Sequence, residues 1–151
     1  MFAKRLVAGW GDMDFNSHMR NTAFLDKSAD VRMMFFSENG FPMEEFIRRK
    51  IGPVVRKDEI EYFNEIRLLE DLRVTLVIAG LAEDGSRFLL RNEFWRANEQ
   101  LAAKVTSSGG WLDLSLRKLV VPPEALLTAL RSLPQTEDFQ MLSSSIKPGG
   151  G

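Results

Sequence analysis

The sequence predicts an α+β domain in which one long helix packs against one face of an antiparallel sheet. Two observations lead to this prediction. Apolar residues recur with a helical period from Thr22 onward, and from residue 54 they alternate with polar residues, as in strands. Turn sequences such as Glu83-Asp84-Gly85-Ser86 separate the strand-like segments, and no further long helix lies between them. The expected order is therefore one strand, a long helix and then about four long strands.

The long helix is the best-defined element of the pattern. Residues 3–10 precede it as the predicted first strand, and residues 11–21 form a polar loop. Asn21 is the expected N-cap, and Asn39-Gly40 is the expected stop before a proline. One stripe of the helix carries the residues that are expected to face the sheet: Phe24, Ser28, Val31 and Phe35, with Leu25, Ala29 and Phe36 beside them.

The later elements are predicted from shorter patterns. A second helix is expected to begin at Pro42-Met43-Glu44-Glu45, since proline and acidic residues favour the first turn of a helix. Gly109-Gly110 in the last strand indicates a bulge or a close approach of two backbones. The remaining predicted elements are strands at 54–66, 72–82, 87–94 and 101–115, and a helix from Pro122-Pro123-Glu124 to Leu130. Residues 1–133 are expected to form a single domain and residues 134–151 a disordered tail.

Composition and charge restrict the class of protein. The length of 151 residues suits one domain. The formal net charge of −1 argues against a general nucleic-acid binder, and no apolar run reaches the ~20 residues of a membrane span. The absence of cysteine excludes a disulfide and a cysteine nucleophile within this chain. Because it also fits a reducing compartment, and because the first residues do not resemble a signal peptide, a cytoplasmic protein is expected, or one inside an organelle after processing.

The loop from Trp10 to Asn21 concentrates reactive side chains. It contains the carboxylates Asp12 and Asp14 and the only histidine of the chain, His18, just before the helix begins. A carboxylate can attack a carbonyl or activate water, and the N–H groups of a helix N-terminus can stabilise an oxyanion. Aspartate and asparagine are also common in turns and caps for conformational reasons, so the pattern alone leaves a structural role open. No residues have the spacing of metal ligands, and no metal or cofactor is expected.

This loop resembles the opening motif of hotdog-fold thioesterases of the 4-hydroxybenzoyl-CoA thioesterase type. The residues that carry the resemblance are Trp10, Asp14, His18, Asn21 and Phe24-Leu25. The stretch from Glu61 to Val74 is similar to the second and third strands of that family, and the resemblance covers roughly residues 5–130. It implies a long central helix wrapped by a curved antiparallel sheet of about five strands.

The resemblance also implies roles for individual residues. Asp14 would be the catalytic carboxylate, either as nucleophile or as general base, with His18 and Asn21 near the thioester carbonyl. Backbone N–H groups around residues 20–23 would lie at the oxyanion. The residues expected to contact the substrate are Arg20, Thr22, Phe24 and Tyr62. The substrate would be a thioester of CoA or of an acyl carrier.

A homodimer, possibly a tetramer, is also expected. The predicted strand at 72–82 carries apolar residues on both of its faces, as Leu76 and Val77 show. Hotdog relatives pair their sheets edge to edge and build each site from two chains. Two-fold symmetry then gives two equivalent sites.

Two other functions stay open at this stage. Hotdog hydratases and dehydratases resemble one another in carrying an Asp and a His with Asn-Pro between them, and Asp14-Phe15-Asn16-Ser17-His18 lacks that proline. A non-catalytic acyl-binding protein would keep the fold alone. The presence of Asp14, His18 and Asn21 together favours the hydrolase.

Overall fold

The computed structural model describes residues 1–146, which contain three α-helices and seven β-strands. In chain order the elements are β1 (Ala3–Val7), a 3₁₀ turn (Trp10–Asp12), α1 (Asn21–Glu38), α2 (Met43–Arg49), β2 (Ile51–Tyr62), β3 (Asp71–Ala82), β4 (Arg87–Arg96), β5 (Leu101–Asp113), β6 (Lys118–Val120), α3 (Glu124–Ser132) and β7 (Gln135–Leu142).

All seven strands belong to one sheet. Its main path runs β1-β3-β4-β5-β2, and every pairing along this path is antiparallel. The long strand β3 has two partners on one side, because residues 71–75 pair with β1 and residues 78–82 pair with β7. The short strand β6 pairs with the end of β5. Strand β2 therefore lies at an edge of the sheet.

Helix α1 packs against one face of this sheet, as the pattern of its apolar residues predicts. Phe24, Val31, Phe35 and Phe36 are all buried, and Phe24 meets Phe94 of β4 edge to face at 5.1 Å between ring centroids. Such pairs add to the stabilisation that burial alone provides. The helix ends at Glu38. Asn39 caps it, because its backbone and side chain bond back to the last turn, and Gly40 then adopts the positive φ of +89° that favours glycine.

Some predicted boundaries were wrong. The first strand ends at Val7, because the chain turns into the 3₁₀ segment Trp10–Asp12. Helix α1 begins at Asn21 itself, with Arg20 in the capping position and no side-chain cap. The strand predicted at 54–66 runs from Ile51 to Tyr62, and the buried Ile66 lies beyond it.

The prediction of a disordered tail from residue 134 was also wrong for the residues that the structure describes. Residues 135–142 form β7, which is parallel to β3 and belongs to the same sheet. Arg91 of β4 holds this strand through two hydrogen bonds of 3.0 Å to the carboxylate of Asp138. This ion pair lowers the pKa of Asp138 well below its usual range. The part of the predicted tail at 147–151 lies outside the described residues.

Candidate active site

The side chain of Asp14 is held by backbone N–H groups of the loop that contains it. Its Oδ1 accepts hydrogen bonds from the backbone N–H groups of Asn16 and His18, at 2.8 and 3.0 Å. The backbone N–H of Asp14 donates to the carbonyl of His18 at 2.7 Å, and Ser17 completes the turn with a positive φ of 62°. Among the described residues, none donates to Oδ2. The carboxylate is therefore fixed through one oxygen and keeps the other available.

Asp12 has a different environment from Asp14. Its Oδ2 accepts a hydrogen bond of 2.8 Å from the N–H of Gly9 and forms a 3.0 Å ion pair with Lys27 of α1. Burial raises the pKa of Asp12, but these hydrogen bonds and the charge of Lys27 outweigh it, so the pKa lies below its ordinary value. Asp12 thus fastens the loop to the helix.

The start of α1 supplies few free N–H groups. The N–H of Arg20 donates to the backbone carbonyl of Asp12, that of Thr22 to the side-chain oxygen of Asn21, and that of Ala23 to the backbone carbonyl of Arg20. Of the four donors predicted at 20–23, only the N–H of Asn21 has no acceptor among the described residues. The predicted oxyanion donors therefore narrow to this one group at the positive end of the helix.

His18 is paired with a residue that the sequence analysis did not place in the site. Its Nε2 lies 3.1 Å from Oε2 of Glu65, and both side chains remain in contact with solvent. The two come together because residue 18 pairs with Arg67 in an antiparallel bridge, while Met19 donates its N–H to the carbonyl of Ile66. With Nε2 engaged, Nδ1 is the ring nitrogen left for other chemistry.

Asp14 and His18 share a cavity of about 330 Å³. Its apolar wall includes Phe24 and Tyr62, whose rings meet edge to face at 5.4 Å. The other residues that line it are Met19, Phe63, Asn64, Glu65 and Ile66. Burial raises the pKa of the Tyr62 phenol, so this group stays neutral at ordinary pH. A cavity with one carboxylate, one imidazole and an apolar wall suits an ester-like group that carries an apolar chain.

The structure brings together four of the seven predicted site residues: Asp14, His18, Phe24 and Tyr62. Asn21, Arg20 and Thr22 do not line the cavity but lie exposed at the start of α1, where Arg20 donates to the hydroxyl of Thr22 at 2.9 Å. Of the additional residues, Met19 lies in the loop itself and the others come from the segment after β2. The sequence analysis assigned that segment to strands and not to the site, because it reaches the site only through pairing between distant segments.

Another cavity, of about 240 Å³, lies at the start of β2 and the end of β5, and its lining includes Arg56, Arg87 and Gly109. It contains neither a carboxylate nor a histidine. Residues 1–146 hold no group of His, Asp and Glu side chains arranged to bind a metal ion. Within the same range, every helix is too short or too polar to cross a membrane.

Comparison with known proteins identifies the type of domain. Residues 8–130 match the family model of the thioesterase-like superfamily. Among curated proteins, no sequence matches this chain.

Solved structures share the fold at low sequence identity. A Staphylococcus aureus protein in complex with CoA has 19% identity and a TM-score of 0.80, over 89% of this chain and 87% of that one. A 1,4-dihydroxy-2-naphthoyl-CoA thioesterase from Synechocystis has 20% identity and a TM-score of 0.77, over 87% and 96%. A gentisyl-coenzyme A thioesterase has 17% identity and a TM-score of 0.75, over 85% and 98%. The predicted hotdog arrangement of one long helix and one antiparallel sheet is confirmed, with seven strands in place of about five.

Proposed function

The chain belongs to the thioesterase-like superfamily, and from this premise we propose that it hydrolyses an acyl thioester such as an acyl-CoA. The observation that carries the proposal is the solvent-exposed Asp14 carboxylate, which is fixed through one oxygen, free at the other, and among the residues that line a cavity with an apolar wall. The products are the free acid and the thiol.

Two reaction routes use the free oxygen of Asp14. As a nucleophile, the carboxylate attacks the thioester carbon, the C–S bond breaks, and water then hydrolyses the mixed anhydride. As a general base, the carboxylate takes a proton from water while the water oxygen attacks, and the departing thiolate takes up that proton. In either route the carbonyl oxygen gains negative charge, and the donor that we propose for it is the N–H of Asn21 at the positive end of α1, which lies next to the cavity-lining loop and has no acceptor among the described residues.

A thiol-release assay across short, long and aromatic acyl-CoAs tests the proposed function. We expect release of free CoA with at least one of these substrates. If the enzyme releases no thiol from the whole panel, the hydratase and acyl-binding alternatives become preferable. Following double-bond hydration at the same time, with enoyl-CoA substrates, distinguishes these two.

We further propose that Glu65 positions the His18 ring. A carboxylate beside Nε2 can fix the tautomer and the orientation of an imidazole, and Nδ1 is then the nitrogen available to a substrate. His18 also supports Asp14 through its backbone N–H, and a side-chain substitution does not remove that bond.

Replacing His18 with alanine is expected to lower activity more than stability. The change in the free energy of unfolding should stay below about 3 kcal/mol, the scale of a severe core substitution.

Glu65→Gln should reduce kcat by a few-fold to about tenfold with little change in KM, since both side chains are partly exposed. The measurements are thermal melts and steady-state kinetics of thiol release.

A double-mutant cycle tests whether Glu65 acts through His18. In the His18→Ala background, Glu65→Gln should have no further effect on kcat. The exposed Glu61 provides the matched control, because it does not line the cavity and Glu61→Gln should leave kcat unchanged. Full additivity of the two effects would mean that Glu65 works independently of the histidine.

We also propose that the active form is a homodimer joined through β2, or a tetramer built from such dimers. The apolar residues on both faces of β3, such as Leu76 and Val77, are buried within a single chain, so they require no partner. Strand β2 gives a better reason to expect a dimer. It is an edge strand, and the apolar Tyr62 and Phe63 at its end are about half exposed beside the cavity. The unpaired N–H and C=O groups of an edge strand are a template for pairing with a strand of another chain.

Light scattering at low micromolar concentration should therefore give the mass of two or four chains. Asp58→Pro would remove a backbone N–H in the middle of β2, but it would also disturb the pairing with β5. Phe63→Arg is the sharper variant for the mass measurement, since it changes a half-exposed side chain outside the β2–β5 pairing and should shift the protein toward a monomer. Its activity is not a measure of dimerisation, because Phe63 also lines the cavity. A stable and fully active monomer of the wild-type protein would contradict the proposal.

A further inference from the structure

Arg32, in the middle of α1, is the only charged side chain that the fold buries among residues 1–146. It is 9% exposed, and its Nη1 donates to the amide oxygen of Asn92 at 3.3 Å and to the hydroxyl of Ser107 at 3.1 Å. Both partners are neutral. The nearest negative charge is that of Asp58, which accepts a short hydrogen bond from the Ser107 hydroxyl.

The guanidinium group of Arg32 keeps hydrogen-bond donors that are not used within the chain. It has five N–H donors, and those on Nε and Nη2 reach no acceptor among the described residues. Burial lowers the pKa of Arg32, against the opposing effect of the Asp58 charge. A buried charge with unmade hydrogen bonds is costly, so a further polar group is expected to meet these donors.

Ser28 supplies a second, independent sign of a missing partner. It is fully buried, and its hydroxyl has no hydrogen-bond partner among the described residues. Residues four apart lie on one face of a helix, so Phe24, Ser28 and Arg32 form one stripe. Phe24 lines the cavity of Asp14. The stripe therefore leads from the cavity along α1 to a hydroxyl without a partner and a guanidinium group with unused donors.

One face of β2 is turned toward this stripe of α1, since the ring of Tyr62 contacts that of Phe24. Alternate residues of a strand point to the same side, so Tyr62, Ile60 and Asp58 share one face. Tyr62 lines the cavity, and Asp58 lies level with Arg32 through their common partner Ser107. Asp58 is exposed although its face of the strand is turned toward α1.

We propose that Arg32, Ser28 and Asp58 form a subsite for a hydroxyl group on the acyl chain of the substrate, an inference that rests on the proposed thioesterase activity. A hydroxyl both donates and accepts, so it can accept from Arg32 or Ser28 and donate to Asp58. A methyl group leaves all three without a new partner. A carboxylate would accept from Arg32 but would be repelled by Asp58.

The distance between the two ends of the stripe on α1 sets the position of that hydroxyl on the acyl chain. Eight residues separate Phe24 from Arg32, which is about 12 Å along a helix. The hydroxyl thus belongs at the far end of a medium-length chain. A ring hydroxyl on a benzoyl group lies too close to the thioester carbon to reach the subsite.

The test compares thioesters that differ only at the end of the chain. Wild-type kcat/KM for ω-hydroxyoctanoyl-CoA should exceed that for octanoyl-CoA by about tenfold or more, the scale of a hydrogen bond to a charged group. This ratio does not depend on the fraction of active enzyme. It should fall to about one in Ser28→Ala and in Arg32→Met, and Ser28→Ala suffices if the arginine variant does not fold. Octanedioyl-CoA should be a poorer substrate than the hydroxylated chain.

Binding of non-hydrolysable thioether analogues, measured by calorimetry, separates this inference from the proposed function. Turnover of both chains with a wild-type ratio near one, or a ratio that both variants leave unchanged, would overturn the subsite alone. A preference for octanedioyl-CoA would overturn its assignment to a hydroxyl. Tighter binding of the hydroxylated analogue without any turnover would uphold the subsite and contradict the hydrolase. Equal binding of both analogues would overturn the subsite whether or not turnover occurs.

Discussion

Replacing Asp14 with asparagine is expected to lower thioester hydrolysis by about a hundredfold or more, the usual scale for loss of a positioned acid–base group. The amide keeps the shape of the side chain, and its oxygen can still accept the two N–H bonds from Asn16 and His18. It can neither attack a carbonyl well nor take a proton from water. The measurement is thiol release from the best substrate of the acyl-CoA panel, with thermal melts to show that the variant folds.

Asp12→Asn is the matched control, with the same change two residues away. Its carboxylate is occupied by Gly9 and Lys27, so this variant should lose some stability and keep most of its activity. Thiol release at near wild-type rate by the Asp14 variant, or an equal loss in the Asp12 variant, would show that the assignment of the catalytic carboxylate is wrong.

Gly109→Ala is expected to be the most damaging small substitution for the fold. A Cβ atom at this position would lie 2.1 Å from the carbonyl oxygen of Val54 and 2.9 Å from the ring of Phe88. The first of these atoms is backbone, so strands β2 and β5 would have to separate. We expect a loss of about 3 kcal/mol or more in the free energy of unfolding, which corresponds to roughly 6–12 °C in Tm.

Gly11→Ala is the control for Gly109→Ala, because a Cβ atom there meets nothing within 4 Å. Its melting temperature should stay within the range of ordinary surface substitutions. If the two variants melt at the same temperature as the wild type, the close approach of the two backbones at Gly109 does not exist in solution. Guanidinium unfolding monitored by Trp111, which is buried next to Phe88, gives the free energies directly.

The sequence analysis correctly predicted those elements whose own residues show a clear pattern. The stripe of α1 that contains Phe24 and Phe35 has a helical period and is buried, and Gly109 marks the close approach of two strands. Strand β7 could not be found in this way. Its half-buried residues Thr136, Phe139 and Leu142 recur every three positions, and its pairing depends on contacts of β3 and on the ion pair between Arg91 and Asp138. Tertiary contacts of this kind override local pattern.

The site was predicted where the motif is local and missed where it is not. Asp14 and His18 lie four residues apart in one loop, and the structure places both in one cavity. Glu65 joins them only because the chain after β2 pairs with that loop. The oxyanion donors were overestimated, since the number of free N–H groups depends on local bonds such as that from Thr22 to Asn21.

The most direct test of the central claim, that thioester hydrolysis takes place at Asp14, is a crystal structure of the Asp14→Asn variant with an intact acyl-CoA substrate. We expect the thioester carbon about 3–3.5 Å from the side chain of residue 14, the distance of a near-attack geometry, with its oxygen directed to the N–H of Asn21. The acyl chain should run along α1 past Phe24. A thioester bound elsewhere, for example in the cavity beside Gly109, would contradict the assignment of the active site.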